Sequence, residues 1–233
     1  MALRRAALSR LSCNVAALVS ESARASGRRW VAAASSSSAP PLVATRTSNV
    51  GKLAGAIAGR MRNKEPSVIS AIGPSASYMA LKAVVIANGY VREHNPGKSL
   101  AVVPEKQQIE GGPEGRQETF GWALEVCSVE DPGPVDKPEI FAAGKTNVGH
   151  MAGLMANILN RESVVTVGGM GAEAMSSVLK STIIAQKYVE KAGIEDTLAL
   201  VPRLDQFEEH NEERTRMLLT CTLKPRSPKG DAL

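Results

Sequence analysis

The sequence predicts two tandem copies of one small α/β domain, in which a sheet and a helix layer pack as two layers. Residues 49–104 align with residues 147–202 without gaps at a constant offset of 98, with 18 identities over 56 positions. Each copy also alternates strand-like with helix-like hydrophobic patterns, in the order β-α-β-α-β-β. Copies this similar are expected to share one fold.

The first strand and helix of each copy follow from local signals. The run Val43–Thr47 is strand-like, and Asn49 suits the N-cap of the helix that follows it. Apolar residues recur along that helix on one face, and the second copy repeats the pattern. In copy one these are Val50, Leu53, Ala54, Ile57, Ala58 and Met61; in copy two they are Val148, Met151, Ala152, Met155, Ala156 and Leu159.

The rest of each copy is assigned in the same way. Ser67–Ile72 is the second strand, and Gly73 makes the turn into a second helix that Gly89 can close. Ser99–Pro104 is the third strand, and the fourth ends near Cys127.

The second helix carries apolar residues on the side away from its own sheet. These are Leu81 and Val85 in copy one, and Leu179 and Ile183 in copy two. They predict a contact between the two copies or with another molecule. Burial under the loops of the same domain is the alternative.

Composition divides the chain into five segments. Residues 1–41 contain six arginines, nine serines and a single acidic residue, which is typical of a transit peptide; a disordered nucleic-acid-binding arm is the alternative. Residues 42–128 and 139–225 are the two domains, the proline-rich residues 129–138 are a linker, and residues 226–233 are a tail. Arginine excess favours the mitochondrial matrix over a plastid, and no segment is apolar enough to predict a membrane span.

The net charge of +5 belongs to the predicted presequence, because the remaining residues carry equal numbers of basic and acidic side chains. Bulk charge therefore gives no case for nucleic acid. Copy one is positive, at +3 over residues 42–128, and copy two is negative, at −3 over residues 139–223.

Little in the sequence points to catalysis. The three histidines are scattered, and Cys127 and Cys221 lie in apolar runs without metal-ligand or disulfide spacing. The glycine run at Gly168–Glu173 lacks the spacing of a dinucleotide loop. We therefore expect no enzyme activity, no cofactor and no metal. The acidic residues Glu208, Glu209, Glu212 and Glu213 are expected in a solvated loop.

The runs Asn49–Arg62 and Ala71–Val91 resemble the bacterial stage V sporulation protein S family. Its pattern is an Asn-led helix, an Ala-Ile-Gly turn, a lysine-containing helix and a strand that ends in proline. Copy two is less similar but keeps Gly171, Ala172, Ala174, Lys180, Ile184, Ala185, Val189 and Pro202. The resemblance covers nearly all of the chain after residue 41. It implies an Alba-like fold that binds DNA or RNA as a dimer, which two fused copies would imitate.

Lys82 and Lys180 are the first candidates to contact nucleic acid, because this basic position is kept by both copies and by the family pattern. Solvated lysines on a polar helix face are the alternative. Arg46, Lys106 and Arg116 lie near predicted loops, while Arg60, Arg62 and Lys64 close the first helix, where cations also suit the helix dipole. Free N–H groups beside Gly73 and Gly171 are candidates to hold a phosphate, although these glycines also serve a turn.

The sequence thus predicts a non-enzymatic mitochondrial protein that binds nucleic acid, RNA ahead of DNA, as a fused Alba-like pseudo-dimer. The main alternative is a structural subunit of a mitochondrial ribonucleoprotein or other large assembly, or a homo-oligomer, which the neutral charge after residue 41 favours. A third is an enzyme that holds a small phosphorylated ligand at the Gly73 or Gly171 helix ends.

Overall fold

The computed structural model of the chain describes residues 39–109, 119–135, 137–209 and 212–226. The predicted presequence, except for its last three residues, lies outside the described residues. So do the candidate Arg116 and most of the predicted tail.

The described residues contain eight strands and four helices, in the order β-α-β-α-β-β in each copy, so the predicted α/β class is confirmed. Copy one consists of β1 (Leu42–Ala44), α1 (Val50–Arg62), β2 (Ser67–Ala71), α2 (Gly73–Arg92), β3 (Lys98–Ile109) and β4 (Thr119–Glu130). Copy two consists of β5 (Ile140–Ala142), α3 (Val148–Glu162), β6 (Val164–Gly169), α4 (Gly171–Lys191), β7 (Thr197–Glu209) and β8 (Glu212–Lys224).

Among the described residues, those of 39–106 and 122–226 belong to one compact unit, and 107–109 and 119–121 belong to a second. The larger unit contains all four helices and most of every strand. The described part of the smaller one comprises the end of β3 and the start of β4.

Helix and strand ends differ from the sequence predictions where the core extends them. Helix α2 continues past Gly89 to Arg92, since this places Val91 in the core. Strand β1 ends at Ala44, because the N–H of Thr45 donates to Ser48 Oγ in a turn (2.8 Å).

The predicted acidic loop is wrong. Glu208 and Glu209 end β7 and Glu212 and Glu213 begin β8, so these residues pair across two strands. Their register puts Glu208 opposite Glu213 and Glu209 opposite Glu212. Like charges in such positions repel, and Arg214 offsets this by contacting both Glu209 (2.6 Å) and Glu212 (3.2 Å).

The strands form one sheet in the order β1-β2-β4-β3-β7-β8-β6-β5. This order is symmetric about the β3–β7 pair, because each strand of copy one occupies the mirrored place of its counterpart in copy two. At that centre Val102 pairs antiparallel with Leu200, and these two residues occupy the same position in the repeat. The sheet therefore has the pseudo-twofold symmetry expected of a fused dimer.

One hydrophobic core joins the two copies. Alternate strand residues, among them Ile69, Leu100, Val165 and Leu198, pack with the buried faces of all four helices. Ala101, Val103, Ala199 and Val201 point to the opposite face and form a small second cluster with Cys127. The helices thus form a layer on one face of the sheet, with both copies contributing to it.

Helices α2 and α4 pack against one another across the pseudo-twofold axis. Leu81 and Leu179 are fully buried, and Val85 and Ile183 are partly buried. This helix pair supplies the contact between copies that the apolar stripe predicted for these helices. Which neighbours each of the four side chains touches stays a prediction.

The connector between the copies is held at its start by Asp131 and just beyond its end by Glu139, the first residue of copy two. The Asp131 carboxylate forms salt bridges with Arg92 of α2 and Arg203 of β7, and Arg203 also donates to the carbonyl of Gly133. Just beyond the other end, the N–H of Thr166 donates to the Glu139 carboxylate (2.6 Å). The carboxylate of Asp131 thus ties an element of copy one to an element of copy two.

Exposed glycines on the helices allow a test of the helix geometry. An ideal Cβ on Gly55 in α1 or Gly153 in α3 would meet nothing within 4 Å. Since alanine has a higher helix propensity than glycine, Gly55→Ala and Gly153→Ala should each raise the free energy of unfolding by about 0.5–1 kcal/mol.

A matched control for this prediction lies in β6. A Cβ on Gly169 would lie 2.8 Å from both the carbonyl oxygen of Ala142 and Cε of Met175. Gly169→Ala should therefore destabilise the protein in the same denaturant titration. A loss of stability in Gly153→Ala would contradict the described packing of α3.

None of the helices that the structure describes is long and apolar enough to cross a membrane.

Candidate nucleic-acid interface

The four helices concentrate positive charge. They carry nine Lys and Arg residues and three Asp and Glu residues, a net charge of +6. The eight strands carry six basic and eight acidic residues, a net charge of −2. We call α1, α2, α3 and α4 together the helix layer. The helices cover one face of the sheet, so basic residues are concentrated in this layer although the chain after residue 41 is neutral.

The cations of the strands and those of the helix layer differ in their partners. On the strands, Arg203, Arg214 and Arg216 all form salt bridges with carboxylates. Arg216 also lies over the rings of Phe207 and Phe141, 4.7 and 5.9 Å from their centroids. In the helix layer, only Arg92 forms a salt bridge to a described residue. Arg60, Arg62 and Lys82 have other contacts within the chain, and the remaining helix cations are available to an anionic ligand.

Lys82 and Lys180 occupy equivalent places on α2 and α4. Lys180 is exposed and forms no hydrogen bond or salt bridge with a described residue. Lys82 is partly buried, and its Nζ lies 4.7 Å from the ring centroid of Tyr78. The equivalent of Tyr78 in copy two is the buried Ser176, so only copy one holds its lysine against a ring. The central helix pair thus brings one retained lysine from each copy into the same layer.

Glu190 subtracts little from the charge of α4. It accepts hydrogen bonds from Arg226 (2.7 Å) and Gln186 (3.1 Å). These bonds, led by that from Arg226, hold the pKa of the Glu190 carboxyl below its usual value. Lys187 and Lys191 on the same helix are exposed.

The basic residues at the end of α1 have local contacts. Arg60 donates to the carbonyl of Pro40 (2.7 Å), and partial burial lowers the pKa of its guanidinium. Arg62 donates to the Ala58 carbonyl of its own helix (3.4 Å). Lys64 is exposed in the turn that follows, at φ 57°. The Arg60 contact favours the structural alternative for that residue.

The other predicted contacts lie away from the central helix pair. Arg46 is exposed in the turn between β1 and α1, and Lys106 is exposed on β3.

Gly73 and Gly171 begin α2 and α4 with φ of 81° and 84°. Residues with side chains rarely adopt this conformation, so each turn requires its glycine. Neither helix has a side-chain N-cap. The turn by itself explains why both copies keep the glycine.

The buried thiols have little nucleophilic character. Burial raises the pKa of Cys221 to about 12 and also raises that of Cys127. Among the described residues no group of three or more His, Cys, Asp and Glu side chains could hold a metal ion. The glycine run at residues 168–169 is explained by packing, because a Cβ on Gly168 would lie 2.7 Å from Pro138.

A family model described as Stage V sporulation protein S (SpoVS) matches residues 42–120 and residues 139–224. The chain belongs to the stage V sporulation protein S family. The two matched segments are the two copies of the repeat, so the SpoVS unit occurs twice in one chain. No curated protein matches the chain.

One feature of this tandem SpoVS chain was not predicted from its sequence. Tyr90 and Tyr188 are equivalent, exposed residues of α2 and α4, and so is Ile86 on α2. A signal for the tyrosines was present in the repeat, because the two copies share them although both are exposed; Ile184, the equivalent of Ile86, packs against the core.

Proposed function

We propose that this SpoVS-family chain is a non-enzymatic nucleic-acid-binding protein that contacts the phosphate backbone through its helix layer. The observation that carries the proposal is the net charge of +6 on four helices that cover one face of the sheet. Cations without protein partners release counterions from a phosphate backbone when they bind it. Lys82 and Lys180 are the central contacts, with RNA expected ahead of DNA.

The symmetry of the sheet supports a fused pseudo-dimer as the binding unit. Val102 pairs with its own repeat equivalent, Leu200, and α2 packs on α4. One chain therefore presents two equivalent basic helices at a fixed spacing, as a dimer of single copies would. A preorganised pair loses less entropy on binding than two separate molecules.

A structural role in a mitochondrial ribonucleoprotein or other assembly is the second candidate. The paired ends of β7 and β8 favour it, because Glu208, Glu209, Glu212 and Glu213 outnumber the single Arg214 there. A basic protein surface would complement these residues, and nucleic acid would be repelled by them. In either role we propose the mitochondrial matrix as the location, from the arginine-rich composition of residues 1–41.

Removal of the two retained lysines tests the first proposal. Lys82→Ala/Lys180→Ala in the full chain should weaken binding to single-stranded RNA about three- to tenfold at low salt, since two phosphate contacts are lost. The measurement is a fluorescence-anisotropy titration with single- and double-stranded RNA and DNA.

The matched control is Lys137→Ala/Lys145→Ala, which removes two exposed lysines outside the helix layer. The N-terminal arginines are present in every variant, so the difference between variants reports on the helix layer. Equal losses in the two double variants would mean that only total charge matters. Absence of binding to all four probes would contradict the first proposal and favour the structural role.

A further inference from the structure

Helices α2 and α4 share a stripe of three identical residues, whose third member is exposed in both copies and whose second member is exposed only in copy one. Lys82, Ile86 and Tyr90 recur as Lys180, Ile184 and Tyr188, at positions i, i+4 and i+8. Residues with this spacing lie on one helix face. The copies differ at most aligned positions, and the shared core residues follow from packing. Packing therefore does not explain why the two copies share the exposed residues of the stripe.

The two tyrosines have no structural partner among the described residues. Tyr90 is 46% exposed and Tyr188 is 42% exposed. Neither side chain forms a hydrogen bond or ring contact with a described residue, in contrast to Tyr78, whose ring lies under Lys82. Helix propensity does not favour tyrosine either, since alanine, leucine and lysine rank above it.

Both rings lie on basic helices. Lys82 and Lys180 lie two turns before them, and Lys187 and Lys191 flank Tyr188 without a hydrogen bond or salt bridge to a described residue. By contrast, Lys82 lies over Tyr78 and Arg92 pairs with Asp131. An exposed ring on a basic helix matches the chemistry of single-stranded nucleic acid, which offers a base to stack and a phosphate to neutralise. In a duplex the bases stack on one another, so a ring on a helix surface cannot reach their faces. Two copies of this positive face would repel each other, which disfavours self-association through it.

We infer that Tyr90 and Tyr188 are stacking residues for unpaired bases, so that the helix layer selects single-stranded nucleic acid. This inference rests on the proposed function and names the form of its ligand. The lysines supply affinity for any phosphate backbone, and the tyrosines supply the preference for strands with accessible bases. Each helix of the central pair carries one of the two tyrosines.

The test compares the full chain with Tyr90→Ala/Tyr188→Ala and Tyr90→Phe/Tyr188→Phe, using an unstructured oligouridine and a duplex RNA of equal length. Loss of stacking should weaken oligouridine binding about tenfold for each tyrosine, while duplex binding stays within about twofold. The phenylalanine variant keeps a ring and should bind as the wild type does. Thermal unfolding of each variant separates lost binding from lost structure.

Three results would overturn this inference alone, and a fourth would overturn it together with the proposed function. The first is equal weakening for oligouridine and duplex, and the second is unchanged oligouridine binding by the alanine variant. In the second case, a loss in Lys82→Ala/Lys180→Ala would leave the proposed function standing. The third is a self-associating wild type that becomes monomeric in the alanine variant during sedimentation, which would assign the tyrosines to a contact between chains. A wild type that binds no probe would contradict both proposals.

Discussion

Leu179→Ala is expected to lower the free energy of unfolding by about 3 kcal/mol. Leu179 is fully buried on α4, the helix that packs against α2 of the other copy. Truncation removes apolar contacts and leaves a cavity that the surrounding helices and sheet cannot fill. Leu81→Ala, at the equivalent position of copy one, should cost a similar amount. The measurement is urea unfolding followed by circular dichroism.

The same titration tests whether the copies unfold together. Buried residues of both form one continuous cluster, so each leucine variant should show a single transition with a lower midpoint. Leu204→Ala is the matched control, because Leu204 is 42% exposed on β7 and its truncation should cost under about 0.5 kcal/mol. Two separate transitions, with only one of them shifted, would contradict a shared core.

Asp131→Ala is expected to lower the free energy of unfolding by about 2 kcal/mol. The Asp131 side chain is 13% exposed and receives Arg92 from copy one and Arg203 from copy two. Removal of the carboxylate leaves the Arg203 guanidinium, itself 19% exposed, without its anion. Nε of Arg203 is already buried without a partner. The uncompensated charge, in addition to the lost hydrogen bonds, produces the penalty.

The neighbouring Glu130 provides the control. Its side chain is 90% exposed and pairs with Lys98 at 3.5 Å, so Glu130→Ala should change stability by under about 0.5 kcal/mol. High salt should reduce the small Glu130 effect further and leave most of the Asp131 effect, because screening is weaker for partly buried pairs. Equal effects in the two variants would show that the salt bridges of Asp131 do not hold the copies together.

Much of the fold could be predicted because the repeat confines it. Asn49 caps α1, and its side chain accepts from the N–H of Lys52 as the capping pattern predicts. The apolar spacing of the first helix gave its buried face, and the shared turn glycines marked the starts of α2 and α4. These signals are local and occur twice, so each copy supports the assignment of the other.

The arrangement of the copies depends on contacts that local patterns do not carry. The proline-rich connector has the composition of a flexible linker, whereas Asp131 and Glu139 bind residues far away in the chain. The polarity of the four glutamates predicts a loop. They pair in strands instead, because the β7–β8 register continues beyond the body of the sheet.

The candidate site was predicted only in part. The repeat identified Lys82 and Lys180, but the concentration of basic residues in the helices could not be predicted without the helix boundaries. Bulk charge conceals it, because the strands, at −2, and the rest of the chain after residue 41, at −4, together cancel the +6 of the helices. The tyrosines could not be identified as candidates from the sequence. An identity between the two copies does not by itself distinguish an exposed residue from a core residue.

The salt dependence of RNA binding tests the central claim most directly. Kd of the full chain and of Lys82→Ala/Lys180→Ala for single-stranded RNA would be measured across a series of salt concentrations. If both lysines neutralise phosphates, the slope of log Kobs against log salt should become shallower in the variant by about 0.7 for each lysine. Parallel slopes for the two proteins, or a wild type that does not bind at low salt, would contradict nucleic-acid binding by the helix layer.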